Sequence, residues 1–147
     1  VAEYVPAITA FCAEIHRVLK PNGRAIILAT DWDAISWHSE NPARLARVLA
    51  AFAPHCADSR LPRTLAKRLR DGGLKVDDVS YFSIVNVDRY MGCYGEMIIP
   101  FISDYVAANG AIGADELKAW AQEQDDLNAK GEHFFASGRF IFSVHKE

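Results

Sequence analysis

Five residues with side chains suited to chemistry follow directly after an apolar run of the sequence. They are Asp31, Trp32, Asp33, Trp37 and His38. A strand that only turned back at the surface would more often end on Gly, Asn or Ser. Carboxylates and imidazoles take up protons during reactions, and indole rings pack against flat molecules. The pattern therefore indicates a binding or catalytic site, with Asp33 as a cap and Trp37 in the core as the structural alternatives.

The run before these residues, Arg24–Thr30, reads RAIILAT and shows no alternation of polar and apolar residues. Such a run predicts a strand that is buried on both faces, typically a parallel strand covered by helices. An amphipathic helix precedes it, because apolar residues recur at helical spacing over 8–19. The residues KPNG end that helix, and Asn22 or Gly23 is expected in the left-handed conformation.

Further elements follow along the chain. An Asn cap followed by Pro in the first turn, Asn41-Pro42, predicts a second helix that ends at Pro54. Pro100 is expected in the first turn of its helix, since inside the helix it would cost about 3 kcal/mol. The remaining predicted elements are helices around 61–71, over 97–108 and over 115–130, and strands over 75–87 and 133–145.

The order of these elements predicts an α/β layered fold. Three strands make a narrow sheet, yet the first complete strand and the last one both have apolar residues on two faces. Such strands need neighbours on each side, and Val1–Val5, read as the tail of a strand, offers only a stub of one. The sequence therefore reads as half of a sheet.

Composition restricts the class of protein further. The chain has 147 residues, 50% hydrophobic and 24% charged, with a net charge of −3, so one domain is expected and neither nucleic acid nor membrane is a default partner. The three cysteines lie far apart without zinc-site spacing, which predicts free thiols, no metal and a cytoplasmic protein. The chain lacks a membrane-length apolar run or a signal-peptide pattern. It begins at Val1 without Met, as expected of a piece of something longer.

Several stretches together suggest a family. The stretch AEIHRVLKPNGRAIILATDWD (13–33) resembles the region after the fourth strand of class I S-adenosylmethionine-dependent methyltransferases, where a helix ending in Leu-Lys/Arg-Pro-Gly-Gly leads into the fifth strand. VAEYVP (1–6) resembles the exit of the fourth strand. SRLPRTLAKRLRDGGLKVDDVSYF (59–82) is similar to the helix and sixth strand that follow. FFASGRFIFSVHK (134–146) resembles the last strand, which lies antiparallel between the fifth and sixth.

The resemblance implies the carboxyl-terminal half of a Rossmann-like methyltransferase sheet with helices packed on it. Residues 1–147 would then be one partial domain, with a helical insertion at about 90–131 between the sixth and last strands. Two positions depart from the family pattern, because Asn22 replaces a Gly and Ala7 stands where a capping Asp is frequent. The family's glycine-rich loop and its ribose-binding acid would lie upstream of Val1, so the chain alone is expected to bind S-adenosylmethionine poorly.

The same resemblance implies roles for individual residues. In open α/β sheets ligands bind outside the carboxyl ends of the strands, where Asp31, Trp32 and Asp33 would lie. The implied bases or polar anchors are Asp31, Asp33 and His38. The candidate aromatic walls for the acceptor and the sulfonium are Trp32 and Trp37. Tyr90 and Tyr94 would bind the acceptor as part of an insertion that covers it, with a structural elaboration as the alternative. The implied cofactor contacts are Ala2 and Tyr4.

The function expected from these observations is methyl transfer from S-adenosylmethionine to a small-molecule acceptor. Two alternatives remain at this point. The chain could be a non-catalytic module that associates, with itself or another chain, through its open sheet edge. It could also be a nucleotide-dependent oxidoreductase, but the dinucleotide-binding loop is absent from the sequence. A basic stripe on one predicted helix, with Arg60 and Arg63, is interpreted as a solvated outer face.

Overall fold

The computed structural model describes residues 2–147, and Val1 lies outside the described residues. These residues form two compact units along the chain. Unit 1 comprises residues 2–34 and the segments Cys56–Ser83 and Gly138–Glu147. Unit 2 comprises Ile35–His55 and Ile84–Ser137. The helical insertion predicted at 90–131 therefore falls within unit 2.

Helices and strands alternate along the described chain, which is a mixed α/β protein. The helices are α1 (Ile8–Val18), α2 (Pro42–Phe52), α3 (Pro62–Asp71), α4 (Tyr94–Ala108) and α5 (Ala114–Ala129). The strands are β1 (Arg24–Thr30), β2 (Ser36–Trp37), β3 (Leu74–Asn86) and β4 (Phe135–Lys146). Every predicted helix and complete strand is confirmed, and only the two-residue β2 was not predicted.

Unit 1 is organised around an apolar core to which α1, α3 and the strands contribute. Leucines spaced one turn apart on α3 are fully buried in it, as the helical spacing predicts. The amphipathic α1 buries Ile8 and Cys12 on the same side of the core. The buried members are Ala2, Ile8, Cys12, Ile27, Ala29, Leu61, Leu65, Leu69, Leu74, Phe142 and Val144.

The turn between α1 and β1 follows the predicted left-handed stop. Asn22 is the residue with positive φ, at 61°, and Gly23 N donates to the Lys20 carbonyl at 2.8 Å. Asn is the residue after Gly that best tolerates this conformation. Asn22 N also donates to the Lys146 carbonyl at 2.8 Å, so the turn is joined to the end of β4.

The predicted burial of β1 on both faces is wrong. Among the described strands β1 pairs only with β4, antiparallel, from Arg24 opposite His145 to Thr30 opposite Arg139. Ile27 and Ala29 face the core, whereas Ile26 on the other face is 66% exposed. An apolar run shows that its side chains can be buried, but it does not show which face of the strand is covered by another strand or a helix. Among the described strands β1 therefore lies at the edge, with one face buried and Ile26 exposed on the other.

The last strand is central, as its two apolar faces predict. β4 pairs antiparallel with β1 and with the short β2, and it also pairs with β3. The ring of Tyr81 on β3 lies against Phe140 of β4, with ring centroids 5.1 Å apart. Long β3 nevertheless exposes much of its apolar surface, including Val79 and Phe82.

The amino-terminal segment does not form the strand tail that was expected. Ala2–Tyr4 forms a single 3-10 turn, and Val5 N donates a hydrogen bond to the Ala2 carbonyl at 3.0 Å. Ala7 then occupies the N-cap of α1 without a side-chain hydrogen bond. A strand tail needs a neighbouring strand for its backbone groups, whereas here one backbone hydrogen bond is local and the Glu3 carbonyl is bonded by Ala57 N and Asp58 N.

Unit 2 contains α2, α4, α5 and β2. The predicted cap of α2 is confirmed, because Asn41 Oδ1 accepts a hydrogen bond from Arg44 N at 3.0 Å. The placement of Pro100 was wrong, since α4 begins at Tyr94 and runs through it. The buried face of α4, including Ile102 and Val106, offsets the local loss of a backbone hydrogen bond.

A buried carboxylate links α5 to the start of α2 within unit 2. Glu123 accepts hydrogen bonds from Ser39 Oγ at 2.6 Å, Arg44 Nη2 at 2.6 Å and Asn41 N at 3.2 Å. Burial raises the pKa of Glu123, but these hydrogen bonds outweigh it and leave the pKa below its usual value. The network therefore supports Glu123 as an ionised structural group.

No helix within residues 2–147 is long and apolar enough to cross a lipid bilayer.

Candidate functional site

The carboxyl end of β1 in unit 1 leads into a 3-10 turn, Trp32–Ala34, that presents two acids. Asp31 is buried and forms a two-point ion pair with Arg63, with Nε to Oδ2 at 2.7 Å and Nη2 to Oδ1 at 3.1 Å. Its Oδ1 also accepts from Asp33 N at 3.2 Å. Both carboxylate oxygens of Asp31 are thus engaged.

The second acid is more accessible. Asp33 has a side chain that is 39% exposed, and its Oδ2 meets Arg60 Nε at 2.9 Å and Arg63 Nη2 at 3.3 Å. The hydrogen bond with Asp31 raises the pKa of the Arg63 guanidinium above its usual value, so this group stays charged. We call Asp31, Asp33, Arg60 and Arg63 the acid–arginine cluster.

Arg60 and Arg63, predicted to belong to a solvated basic face, have side chains that are 63% and 47% exposed, and their guanidiniums also form ion pairs. Arg60 lies just before α3 and Arg63 in its first turn, and both reach the acids that follow β1. Sequence reasoning missed the pairing because an ion pair between positions 31 and 63 leaves no local pattern. The available signal was the pair of acids just after the predicted strand, Asp31 and Asp33, together with two closely spaced arginines at the start of the predicted helix around 61–71.

A short loop holds the amino-terminal turn beside the cluster. The Glu3 carbonyl accepts hydrogen bonds from Ala57 N at 2.9 Å and Asp58 N at 3.1 Å. Trp32 N donates to the Ser59 carbonyl at 2.9 Å. The structure therefore brings Ala2 and Tyr4, at the predicted cofactor side, to the loop that also supports Asp31, Trp32 and Asp33. The Tyr4 side chain is exposed, whereas Ala2 and Trp32 are buried.

Trp37 and His38 lie in unit 2. The Trp37 indole is buried, donates to Gln124 Oε1 at 2.8 Å and packs edge-on against Trp120 and Phe135. These contacts are those of a core side chain, the alternative left open by the sequence. The His38 side chain is exposed, and its backbone N donates to the Phe134 carbonyl at 2.9 Å.

The two tyrosines predicted to contact the acceptor are also in unit 2. Tyr90 is exposed, and Tyr94 is half-buried with its ring 5.8 Å from the ring of Phe135. The predicted site residues thus form two groups, one in each unit. In unit 1 the loop 57–59 is hydrogen-bonded to Glu3, which lies between Ala2 and Tyr4, and to Trp32, which lies between Asp31 and Asp33.

Within residues 2–147 no three His, Cys, Asp or Glu side chains are grouped so that they could hold a metal ion.

The Asp31→Asn substitution is expected to lower the free energy of unfolding by about 1–2 kcal/mol. Asp31 is buried and its charge-assisted bonds to Arg63 are lost, while the shape of the side chain is kept. Chemical denaturation monitored by circular dichroism measures the change. The matched variant Asp33→Asn alters an exposed ion pair and should change stability by less than about 1 kcal/mol. Equal losses in the two variants would contradict the assignment of Asp31 as the buried member.

His133 in unit 2 should make stability depend on pH. Burial, followed by the nearby Arg89 charge, lowers the pKa of this imidazole, and neither ring nitrogen has a hydrogen-bond partner among the residues the structure describes. The unfolded chain takes up a proton near pH 6.5, whereas the folded chain does so only at lower pH. The contribution of His133 to folding stability is therefore fully present above the unfolded pKa. It is lost as the pH falls through the lower pKa of the folded state.

The check is urea unfolding at several pH values between neutral and mildly acidic. The His133→Leu variant should lose less stability on acidification than the parent protein, and the exposed-site control His38→Gln should behave like the parent. Parallel pH profiles for the parent and His133→Leu would show that His133 is not responsible.

Comparison with known proteins bears on the fold. No family model and no curated protein matches the chain. The crystal structure of a candidate methyltransferase from Bacillus halodurans C-125 matches 99% of this chain with a TM-score of 0.56 and 12% identity. The [4+2]-cyclase SpnF matches 99% of this chain at 16% identity, but its TM-score of 0.42 carries no argument.

The chain spans 66% of the length of the Bacillus halodurans protein and 46% of that of SpnF. At 12% identity the first of these matches shows likeness of fold alone. The described chain therefore has a methyltransferase-like mixed α/β fold.

Proposed function

We propose that this chain supplies the acceptor-side part of an S-adenosylmethionine-dependent methyltransferase that acts on a small molecule. The observation that carries the proposal is the acid–arginine cluster at the carboxyl end of β1, in a chain whose fold is methyltransferase-like. In open, mostly parallel α/β sheets such as those of methyltransferases, ligands bind outside the carboxyl ends of the strands. The cluster lies at that position in unit 1.

The residues of this chain fit S-adenosylmethionine only in part. Exposed Tyr4 lies in the turn beside the cluster and is suited to one side of the cofactor. Within residues 2–147, however, no glycine-rich turn joins a strand to a following helix. The segment after β1 begins with Asp31, and the segment after β3, residues 87–93, contains a single glycine. We therefore propose that these residues do not hold the cofactor by themselves.

The acid–arginine cluster is suited to binding and orienting a methyl acceptor. Methyl transfer is an in-line displacement, and its main requirement is the alignment of the two reacting groups. Asp31 acts as a positioning residue that holds Arg63, while Asp33 and Arg60 reach solvent. Asp33 can accept a proton from a hydroxyl or amine of the acceptor, and the guanidiniums can bind an acceptor oxygen.

The test is the transfer of tritium-labelled methyl groups from S-adenosylmethionine to a panel of small alcohols, phenols and amines. The longest reading frame containing this chain should transfer label, and Asp33→Asn should reduce kcat with little change in stability. Calorimetry with S-adenosylhomocysteine should show weak or no binding to the 147-residue chain alone. Absence of transfer by the longest form would refute the proposal, and micromolar binding by the chain alone would refute the partial-site assignment.

A second candidate function is a non-catalytic module that associates through its sheet edge. The exposed Ile26 on edge strand β1 favours it, because an unpaired edge with an apolar side chain promotes strand addition. Light scattering with size-exclusion chromatography tests this role. A concentration-independent monomer would exclude self-association, and Ile26→Lys should abolish any dimer that is seen.

A further inference from the structure

Unit 2 contains a cavity of about 490 Å³ beside the start of α4. Its volume lies in the range of small-molecule sites, which are mostly apolar with few polar groups. The wall is formed by α4, by α5 and by the segment that precedes α4. The residues that matter for recognition are Arg89, Met91, Glu96, Met97, Pro100 and Asp125.

The apolar wall contains both methionines of the chain. Met91 is 93% exposed and Met97 is 55% exposed, although side chains of this kind are normally buried. Unbranched thioethers adapt to ligands of different shape, and exposed methionines are typical of surfaces that bind apolar molecules. The cavity is therefore suited to an aliphatic or aromatic group.

The charges around the cavity do not balance. Arg89 Nη2 is paired with Asp125 Oδ1, and Arg89 Nη1 is closed off from solvent. Arg89 and Asp125 thus neutralise each other's charge, while Arg89 Nη1 has no hydrogen-bond partner among the described residues. Glu96, in the first turn of α4, makes no side-chain hydrogen bond or ion pair with any residue in the described part of the chain. One carboxylate at the cavity is left without a counter-charge.

We propose that this cavity is a binding site for a small apolar molecule that carries a protonated amine. The apolar part packs against Met91 and Met97, and the ammonium group donates to the Glu96 carboxylate. An apolar acid of the same size would be repelled by the two carboxylates of the lining, Glu96 and Asp125, which only the single Arg89 charge offsets. The site does not depend on methyl transfer by the acid–arginine cluster.

The two methionines provide the probe. Labelling with [methyl-¹³C]methionine gives one signal for Met91 and one for Met97, which the Met91→Leu variant assigns. The ligand probe is 2-phenylethylamine, with 2-phenylethanol and 3-phenylpropionate as neutral and anionic comparators. We expect both signals to shift saturably with the amine, and the alcohol and the acid to bind at least about tenfold more weakly.

The Glu96→Gln variant should weaken amine binding about tenfold while leaving the binding of the alcohol unchanged. The matched control is Asp104→Asn, which removes an exposed carboxylate from the same helix outside the cavity. Circular dichroism confirms that each variant is folded. Three results would overturn the proposal: no shift of either signal, equal binding of the acid and the amine, or amine binding that Glu96→Gln leaves unchanged.

Discussion

The Trp120→Ala variant should lose about 3–5 kcal/mol of unfolding free energy. Trp120 on α5 is fully buried in unit 2. Its ring meets Trp37 at 5.4 Å in an edge-on arrangement, and Trp37 in turn packs against Phe135. Alanine would leave a cavity at the centre of this aromatic group, and a stable domain has only about 5–15 kcal/mol to lose.

Trp120→Phe is the matched control, since it keeps an aromatic ring at the same position. The Trp120 Nε1 atom is buried without a hydrogen-bond partner among the described residues, so phenylalanine removes no hydrogen bond and should cost much less than alanine. Urea unfolding followed by circular dichroism gives both values. Equal losses for the two variants would show that ring packing at Trp120 does not hold unit 2 together.

The second large effect is expected in unit 1, where Gly72→Val should destabilise the fold by about 2–3 kcal/mol. A Cβ atom at Gly72 would lie 2.8 Å from Cys12 Cβ and 3.2 Å from the Cys12 carbonyl carbon. Both atoms belong to the rigid part of α1, so the helix itself would have to move. Gly72 has φ of −80°, and the cost is therefore steric and does not come from backbone conformation.

Gly113→Ala is the control that separates the general effect of replacing a glycine from the steric clash at Gly72. At Gly113 an added Cβ meets nothing within 4 Å, and φ is −65°. The free energy of unfolding of Gly113→Ala should differ from that of the parent by less than about 1 kcal/mol, as expected for a substitution at the N-cap of α5. Thermal unfolding of Gly72→Val and Gly113→Ala, compared with the parent, measures the difference. A Gly72→Val protein as stable as Gly113→Ala would mean that α1 and α3 do not approach as closely as described.

The neighbouring glycines Gly72 and Gly73 illustrate what sequence reasoning could and could not reach. The pair predicts the end of α3, and the structure confirms it. Gly73 is needed for its positive φ of 88°, which is a local requirement that the sequence can indicate. Gly72 is needed because α1 passes close by, and a contact between positions 12 and 72 has no local signature.

The candidate site shows the same division. The position of Asp31, Trp32 and Asp33 at the end of an apolar strand was predictable, because strand ends in α/β sheets follow from local patterns. The partners of the acids were not predictable. Arg63 reaches Asp31 across 32 positions of sequence, and Trp37 became a core residue through Gln124, 87 positions away.

By itself the sequence determined the helices, the complete strands, the Asn22 turn and the Asn41 cap, since hydrophobic periodicity and backbone preferences act within a few residues. Only the tertiary structure decided which face of β1 is exposed and that Arg63 neutralises Asp31. It also placed Met91, Met97 and Glu96 around one cavity. These features depend on which distant segments meet, and that choice minimises exposed apolar surface and unpaired charge over the whole chain.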